Sequence, residues 1–172
     1  MVKYLENHRF KFPEIIKLNK VGESSSTRSI WSVELSTNPG IEKMEKTNIG
    51  LIAGLKPYDG IGRETLLLLI HYIAQEYTAH NKDIRNFLLS VRLHIVPMVM
   101  VDDMDKAVVG DCDGESFMKN NPSAYNVLNW WNEVCMPLFL GYFAINMVST
   151  PPLPKITIRQ SQIKGLFATK LP

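Results

Sequence analysis

The spacing of apolar and polar positions changes several times along the chain, and each change marks an element. Val2 to Lys11 predicts a short helix ended by Pro13, because a residue before proline is driven out of the α region. Ile16, Leu18 and Val21 then alternate with Lys17, Asn19 and Lys20, and Ile30, Val33 and Leu35 follow the polar stretch Glu23 to Arg28. This alternation on either side of a polar connection predicts a two-stranded hairpin. Beyond the turn cluster Ser36-Thr37-Asn38-Pro39-Gly40 and the charged loop Glu42 to Lys46, the run Asn48 to Ala53 has the length of a buried strand.

Ile61 to Tyr77 is the longest periodic segment: Leu66, Leu67, Ile70, Ile73, Ala74 and Tyr77 recur at three- and four-residue steps, which predicts a core helix. A shorter helix from Asp83 to Leu89 and a strand from Val91 to Val96, closed by Pro97, complete the pattern. The succession of three strands, two helices and a strand predicts an α/β fold, a mixed sheet with packed helices.

Composition adds limits to that picture. With 172 residues, 45% hydrophobic and 21% charged, the chain reads as soluble globular material. A net charge of +2 gives no broad footprint for nucleic acid or an anionic membrane. Two cysteines, Cys112 and Cys135, exclude a disulfide-dense scaffold and a Cys-rich zinc module, and leave a single bridge open. Met1 to Arg9 has neither the apolar core nor the cleavage site of a signal peptide, so the residues themselves assign no compartment. Charge is uneven: residues 134–172 hold four of the 19 basic side chains and none of the 17 acidic ones. Residues 1–133 are therefore expected to form the folded domain, with 134–172 as an apolar, then basic tail of unassigned role. Residues 134–154 carry no charge, but the apolar part ends near Val148 and contains Pro137, short of the roughly 20 residues that span a bilayer. A core or interface segment is expected there, and the basic residues that follow, Lys155, Arg159, Lys164 and Lys170, keep a spanning helix open.

Val21-Gly22-Glu23-Ser24, Ile30-Trp31-Ser32-Val33-Glu34-Leu35-Ser36, Asn38-Pro39-Gly40 and Gly62-Arg63-Glu64-Thr65-Leu66-Leu67-Leu68, in that order, resemble the zinc metallocarboxypeptidases. The resemblance resumes at Val91-Arg92-Leu93-His94-Ile95-Val96-Pro97 and at Gly110-Asp111-Cys112-Asp113, and so covers about residues 4 to 121. It points to the regulatory branch that includes carboxypeptidases D, E and N. Ile30-Trp31-Ser32 and Ala53-Gly54-Leu55 are most like the third repeat of carboxypeptidase D, which in that family lacks catalytic residues. The resemblance implies the N-terminal part of the family fold and a secretory, extracellular or membrane-associated setting.

It also locates where the family's chemistry belongs. The family has a His-x-x-Glu pair between the third strand and the long helix, supplying two zinc ligands, with a third histidine later. Here that slot reads Lys56-Pro57-Tyr58-Asp59, and no histidine follows His94. An ammonium has three donors and no lone pair, so Lys56 repels a divalent cation, while Asp59 keeps a carboxylate of shorter reach. The family's Asn-Pro-Asp-Gly turn corresponds to Met100-Val101-Asp102-Asp103. The family's carbonyl-polarising arginine corresponds to Lys119, which keeps the charge without the planar fork. Its carboxylate-gripping Asn-Arg pair falls, after a one-residue insertion, at Asn129-Trp130, and Trp130 cannot pair with a carboxylate. Beyond Asn132 there is no correspondence.

Other features have plainer expectations. His71 and His80 lack i,i+4 spacing and are expected on the surface, and His94 as a packed strand histidine. Asp102, Asp103, Asp105, Asp111 and Asp113 lack the spacing of a calcium loop. Trp130 and Trp131 are expected to cover core. The expectation is a zinc-site-deficient, non-catalytic carboxypeptidase-like domain with no metal or cofactor of its own, acting if at all by binding a peptide or protein partner, and not nucleic acid. Two alternatives stand: an active zinc metallocarboxypeptidase removing C-terminal basic residues, and a truncated product with an incomplete core and no independent function.

Overall fold

The computed structural model describes residues 1–41, 46–55, 60–103, 121–135 and 143–144. The elements run α1 (Val2–Lys11), β1 (Ile16–Glu23), β2 (Ser29–Leu35), β3 (Thr47–Ile52), α2 (Gly60–Thr78), α3 (Lys82–Ser90), β4 (Val91–Val96), α4 (Pro122–Cys135) and β5 (Phe143–Ala144). The described strands make one sheet in the order β1-β2-β4-β3-β5. β2 is antiparallel to both neighbours, whereas β3 runs parallel to β4 with Ile49 opposite Leu93 and Ile52 opposite Val96. A parallel pair needs a crossover, and α2 with α3 supplies it. The α/β fold with helices on a mixed sheet is as the periodicity predicts.

Local chemistry sets the joints. Between Lys20 and Gly22 the β1–β2 register slips by one residue, so Gly22 pairs with Ile30 and joins Val21 on the face opposite to that of Ile16 and Leu18. α2 stops where His80 turns left-handed at φ 61. Asn81 then starts α3, its side-chain oxygen accepting from the N–H groups of Asp83 and Ile84 at 3.0 and 3.4 Å. The ammonium of Lys46 fastens the entry to β3: it donates to Ser36 Oγ, Thr37 O, Thr37 Oγ1 and Leu88 O at 2.7–3.0 Å, four acceptors around three N–H bonds.

One face of the sheet packs on α1, α2 and α3 through Leu5, Ile16, Val33, Leu66, Ile70 and Ile95, all buried. The other face lies under α4, where Ile30, Ile52, Val96, Val99, Val127 and Trp131 form a second cluster. Two strand glycines let α4 come this close. A Cβ on Gly22 would fall 2.7 Å from Asn126 Cβ, and one on Gly50 would fall 1.3 Å from Trp131 Cη2. Asn126 also donates to the Glu23 carbonyl at 2.9 Å, so α4 reaches from β1 to β3 across the sheet.

Within residues 134–154, expected as a core or interface segment, Phe143–Ala144 pairs in parallel with Leu51–Ile52 and extends the sheet past β3. Two residues are too short to leave a readable alternation. His71 is expected on the surface, but it is half-buried and bonded to His8 of α1 at 3.0 Å. A spacing search within one helix cannot find a partner 63 residues away. α4 continues to Cys135, across the point where composition changes. The rest of the uncharged stretch lies outside the described residues, and among those described no helix is long and apolar enough to cross a membrane.

Candidate functional site

The slot singled out in the sequence follows β3, which ends together with its parallel neighbour β4. Leaving β3, Ala53 donates from its N–H to the Val96 carbonyl at 2.9 Å, and Met100 N–H donates to the Gly54 carbonyl at 2.9 Å. Gly54 sits at φ +64 and faces Met98, whose Sδ would be 2.4 Å from a Cβ placed there, so glycine is required on both counts. Four residues separate Leu55 from Gly60, where α2 begins, and Lys56 and Asp59 are among them, outside the described residues. Lys119, Cys112, Asp105, Asp111 and Asp113 are outside them too.

At this end the 100–103 turn is tied to its surroundings. Asp102 accepts from the Ser26 N–H at 2.9 Å and lies 3.6 Å from Arg28 Nε. Burial would raise its carboxyl, but the Ser26 N–H, the Ser24 and Ser26 hydroxyls and the Arg28 charge hold it below the ordinary carboxylate range. Asp103 accepts from Asn121 at 3.2 Å, and Asn121 caps the start of α4 by accepting from Ser123 N–H at 2.9 Å. Both carboxylates help to hold the turn, and among the described residues Asp102 Oδ1, near Arg28, is buried without a hydrogen-bond partner.

Asn129 and Trp130 are on α4, and the structure separates their roles. Asn129 is exposed. Trp130 is half-buried and turned to the sheet, its ring edge-on to His94 at 5.8 Å and to Trp131 at 6.1 Å. As expected, this pair covers core. His94, 1% exposed, donates from Nε2 to Asn48 Oδ1 at 3.1 Å, also as expected of a packed strand histidine.

Sequence reasoning missed the polar layer to which His94 belongs. Glu34 and Arg92, 3% and 9% exposed, form an ion pair through Arg92 Nη2 and Nε at 2.8 and 3.1 Å from the same carboxylate oxygen. Gly40 N–H donates to that oxygen at 2.9 Å and Asn19 reaches the other at 3.4 Å. Burial pushes the Glu34 carboxyl up, and the Gly40 and Arg92 donors with the nearby positive charge outweigh it, so the net direction is down. His94 is pushed down to about 4, first by burial and then by the Arg92 charge, against the opposing pull of Glu34. Among the described residues, His94 Nδ1 and the hydroxyl of Ser32 on β2 have no hydrogen-bond partner. The signal was present: Ser32 and Glu34 alternate with Val33 and Leu35, and Arg92 and His94 with Leu93 and Ile95. In a central strand such alternation means that something covers a polar face.

Zinc is the ion that the resemblance implies. Among the described residues no three His, Cys, Asp or Glu side chains gather where they could hold a metal ion. The four histidines are dispersed, with His8 and His71 between α1 and α2, His80 beyond the end of α2 and His94 under α4.

Comparison with known proteins agrees with the fold. The family model described as zinc carboxypeptidase matches residues 1–122. Carboxypeptidase D of Anas platyrhynchos is 29% identical over 124 residues, 72% of this chain and 9% of that protein. Carboxypeptidase Z of Mus musculus is 24% identical over 127 residues, 74% of this chain and 19% of that protein. The chain therefore spans a small part of the curated relatives it matches. In fold it is similar to thrombin-activatable fibrinolysis inhibitor, with a TM-score of 0.68 at 13% identity over 83% of this chain and 45% of that one. A metallo-carboxypeptidase from Burkholderia cenocepacia gives 0.65 at 17% identity, over 83% of this chain and 39% of that one. On the match to residues 1–122, the chain belongs to the zinc carboxypeptidase family.

Proposed function

We propose that this chain is a carboxypeptidase-like domain without zinc hydrolysis, which acts by binding a peptide or a protein. The observation that carries the reading is the donor set at the slot between β3 and α2: Lys56 stands where a ligand belongs, and within these 172 residues no histidine follows His94. Catalytic zinc uses about three protein ligands and one open position. One carboxylate, Asp59, with an ammonium beside it in sequence does not fit the ion, and no chemical step is assigned to it.

The surroundings support the same reading. Trp130, which corresponds to the carboxylate-gripping arginine, packs on His94 and Trp131 as part of the cover of the sheet. The two aspartates of the 100–103 turn are engaged in local hydrogen bonds. Lys119 retains a positive charge suited to an acidic or C-terminal group of a bound peptide, without the bidentate geometry of arginine. The regulatory-branch resemblance supports a setting in the secretory pathway.

A C-terminal release assay tests this reading. Peptides ending in lysine or arginine, incubated with the purified chain and added zinc, are expected to stay intact. Release of the terminal residue, abolished by a chelator, would establish the active reading instead.

A further inference from the structure

The outward face of α2 is made of unusual material. Opposite Leu66, Ile70 and Ile73, which are buried in the core, Ile61, Thr65, Leu68, Tyr72 and Gln75 recur at steps of four, three, four and three residues and form one exposed stripe. Ile61, Leu68 and Tyr72 are 59%, 65% and 52% exposed, and no residue of the stripe is charged. A helix that packs on a core by one face ordinarily turns charged residues outward on the other. Here the acidic side chains flank the stripe, Glu64 on one side and Glu76 on the other, and residues 64–81 hold no lysine or arginine. Glu64 pairs with Arg63 at 2.7 Å, and Glu76 accepts from Asn81 at 2.7 Å. The neighbouring helices engage other sides of α2: α1 meets it at Leu67 and His71, and Arg85 of α3 lies over the Tyr77 ring at 4.9 Å.

Size and charge decide what such a stripe can hold. From Ile61 to Gln75 it is about 21 Å long and about 10 Å wide, roughly 200 Å². A stable contact between separate chains takes about 800 Å² from each partner. A tethered segment needs less, because a flexible connection supplies an effective concentration in the millimolar range. The chain itself provides one. Ala144 lies opposite Ile52, at the end of β3 from which the connection to α2 departs. Further along the sequence, outside the described residues, Ile163, Leu166, Phe167 and Leu171 fall at the three- and four-residue spacing of one helix face, with Lys164 and Lys170 beside them and no acid after Glu133. Residues 145–162 join the two, and that length of chain extends to about 60 Å, ample to pass a helix about 10 Å across. We propose that residues 163–171 dock on the Ile61–Leu68–Tyr72 stripe of α2 in the same chain, apolar face on apolar stripe, with Lys164 and Lys170 drawn to Glu64 and Glu76. So short a segment has little helix of its own in water, so it orders as it docks.

Zero-length carbodiimide coupling of the full chain, which joins a lysine amine to a carboxylate in contact with it, reads the docking directly. Links from Lys164 and Lys170 are expected to concentrate on Glu64 and Glu76, roughly tenfold above those to Glu14, Asp83 and Glu133, which are exposed elsewhere. Leu68→Ser/Tyr72→Ser keeps every charge and should abolish that preference. Should that variant not fold, Leu166→Ser/Phe167→Ser removes the same contact from the other side without altering a described residue. A mixture of isotope-labelled and unlabelled chains shows which molecule supplies the segment, and links within one chain support the proposal. Links between chains assign the stripe to a second copy and overturn it. An even spread over the carboxylates, or a preference that survives the serine variants, overturns it as well.

Discussion

The two faces of the sheet solve the same problem with different materials. Under α1, α2 and α3 the contact is aliphatic, with Val33, Leu35, Leu93 and Ile95 meeting Leu66 and Ile70, and it carries no ionisable group among the strand residues named. Under α4 the strands offer Ser32, Glu34, Arg92 and His94, apolar packing shrinks to the end near Ile30, Ile52 and Val96, and two tryptophans cover the remainder. Apolar packing tolerates modest reshaping, whereas a buried polar layer depends on each partner being present. Damage to the second face should therefore cost more per atom removed, and it should depend on pH.

Arg92→Met should show the largest effect. It leaves Glu34 buried without its cation, a loss of about 3–5 kcal/mol in denaturant unfolding. Adding Glu34→Gln should recover most of that, since glutamine still accepts from Gly40 N–H; a double variant as weak as the single one would mean that the ion pair is not the source. On the first face, Ile70→Ala should cost about 2–5 kcal/mol by leaving a cavity, with no dependence on pH.

His94 sharpens the contrast through pH. Its folded-state value of about 4 lies below its ordinary 6.5, so the unfolded chain binds the proton more readily. Stability is then complete above pH 6.5 and declines as pH falls towards 4, by up to about 3 kcal/mol for this shift. Glu34, also held low, adds to the loss below its ordinary 4.5. Unfolding followed from pH 7 to 4 should steepen accordingly, and His94→Gln should flatten the part above 4.5; an unchanged slope in the variant assigns the dependence elsewhere.

Two smaller effects probe how each face is seated. Gly50→Ala drives a methyl group into Trp131, which should cost about 1–3 kcal/mol and shift tryptophan emission to the red while α1–α3 stay ordered. Lys46→Met removes the ammonium from its four oxygen acceptors and should cost about 1–2 kcal/mol, measured by thermal unfolding.

The same contrast explains what could be read from the sequence. The first face was legible because α2 and the strands repeat their apolar residues at regular periods, and α1, β1 to β4, α2 and α3 all follow those periods closely. α4 was not, because Pro122 to Cys135 mixes serine, asparagine and glutamate with its tryptophans, and its fit depends on Gly22 and Gly50 far away in the chain. The elements on either side of the slot, β3 and α2, were legible from the short motifs around them, while residues 56–59 themselves lie outside the described residues. The polar faces of β2 and β4 were legible as alternation, but the pairing of Glu34 with Arg92 beside His94 and the contact of His8 with His71 were not, since each joins residues that come together only when the sheet and helices have formed.

We propose that the zinc carboxypeptidase fold is kept in this chain without its zinc. Metal analysis of the purified chain after equilibration with zinc and removal of the excess decides this, for the wild type and for Lys56→His/Asp59→Glu. Far less than one equivalent is expected in the wild type, and no C-terminal release in the double variant even if its zinc content rises, because two rebuilt ligands do not restore groups that work as a unit. Zinc near one equivalent in the wild type, lost to a chelator together with C-terminal release, would contradict it.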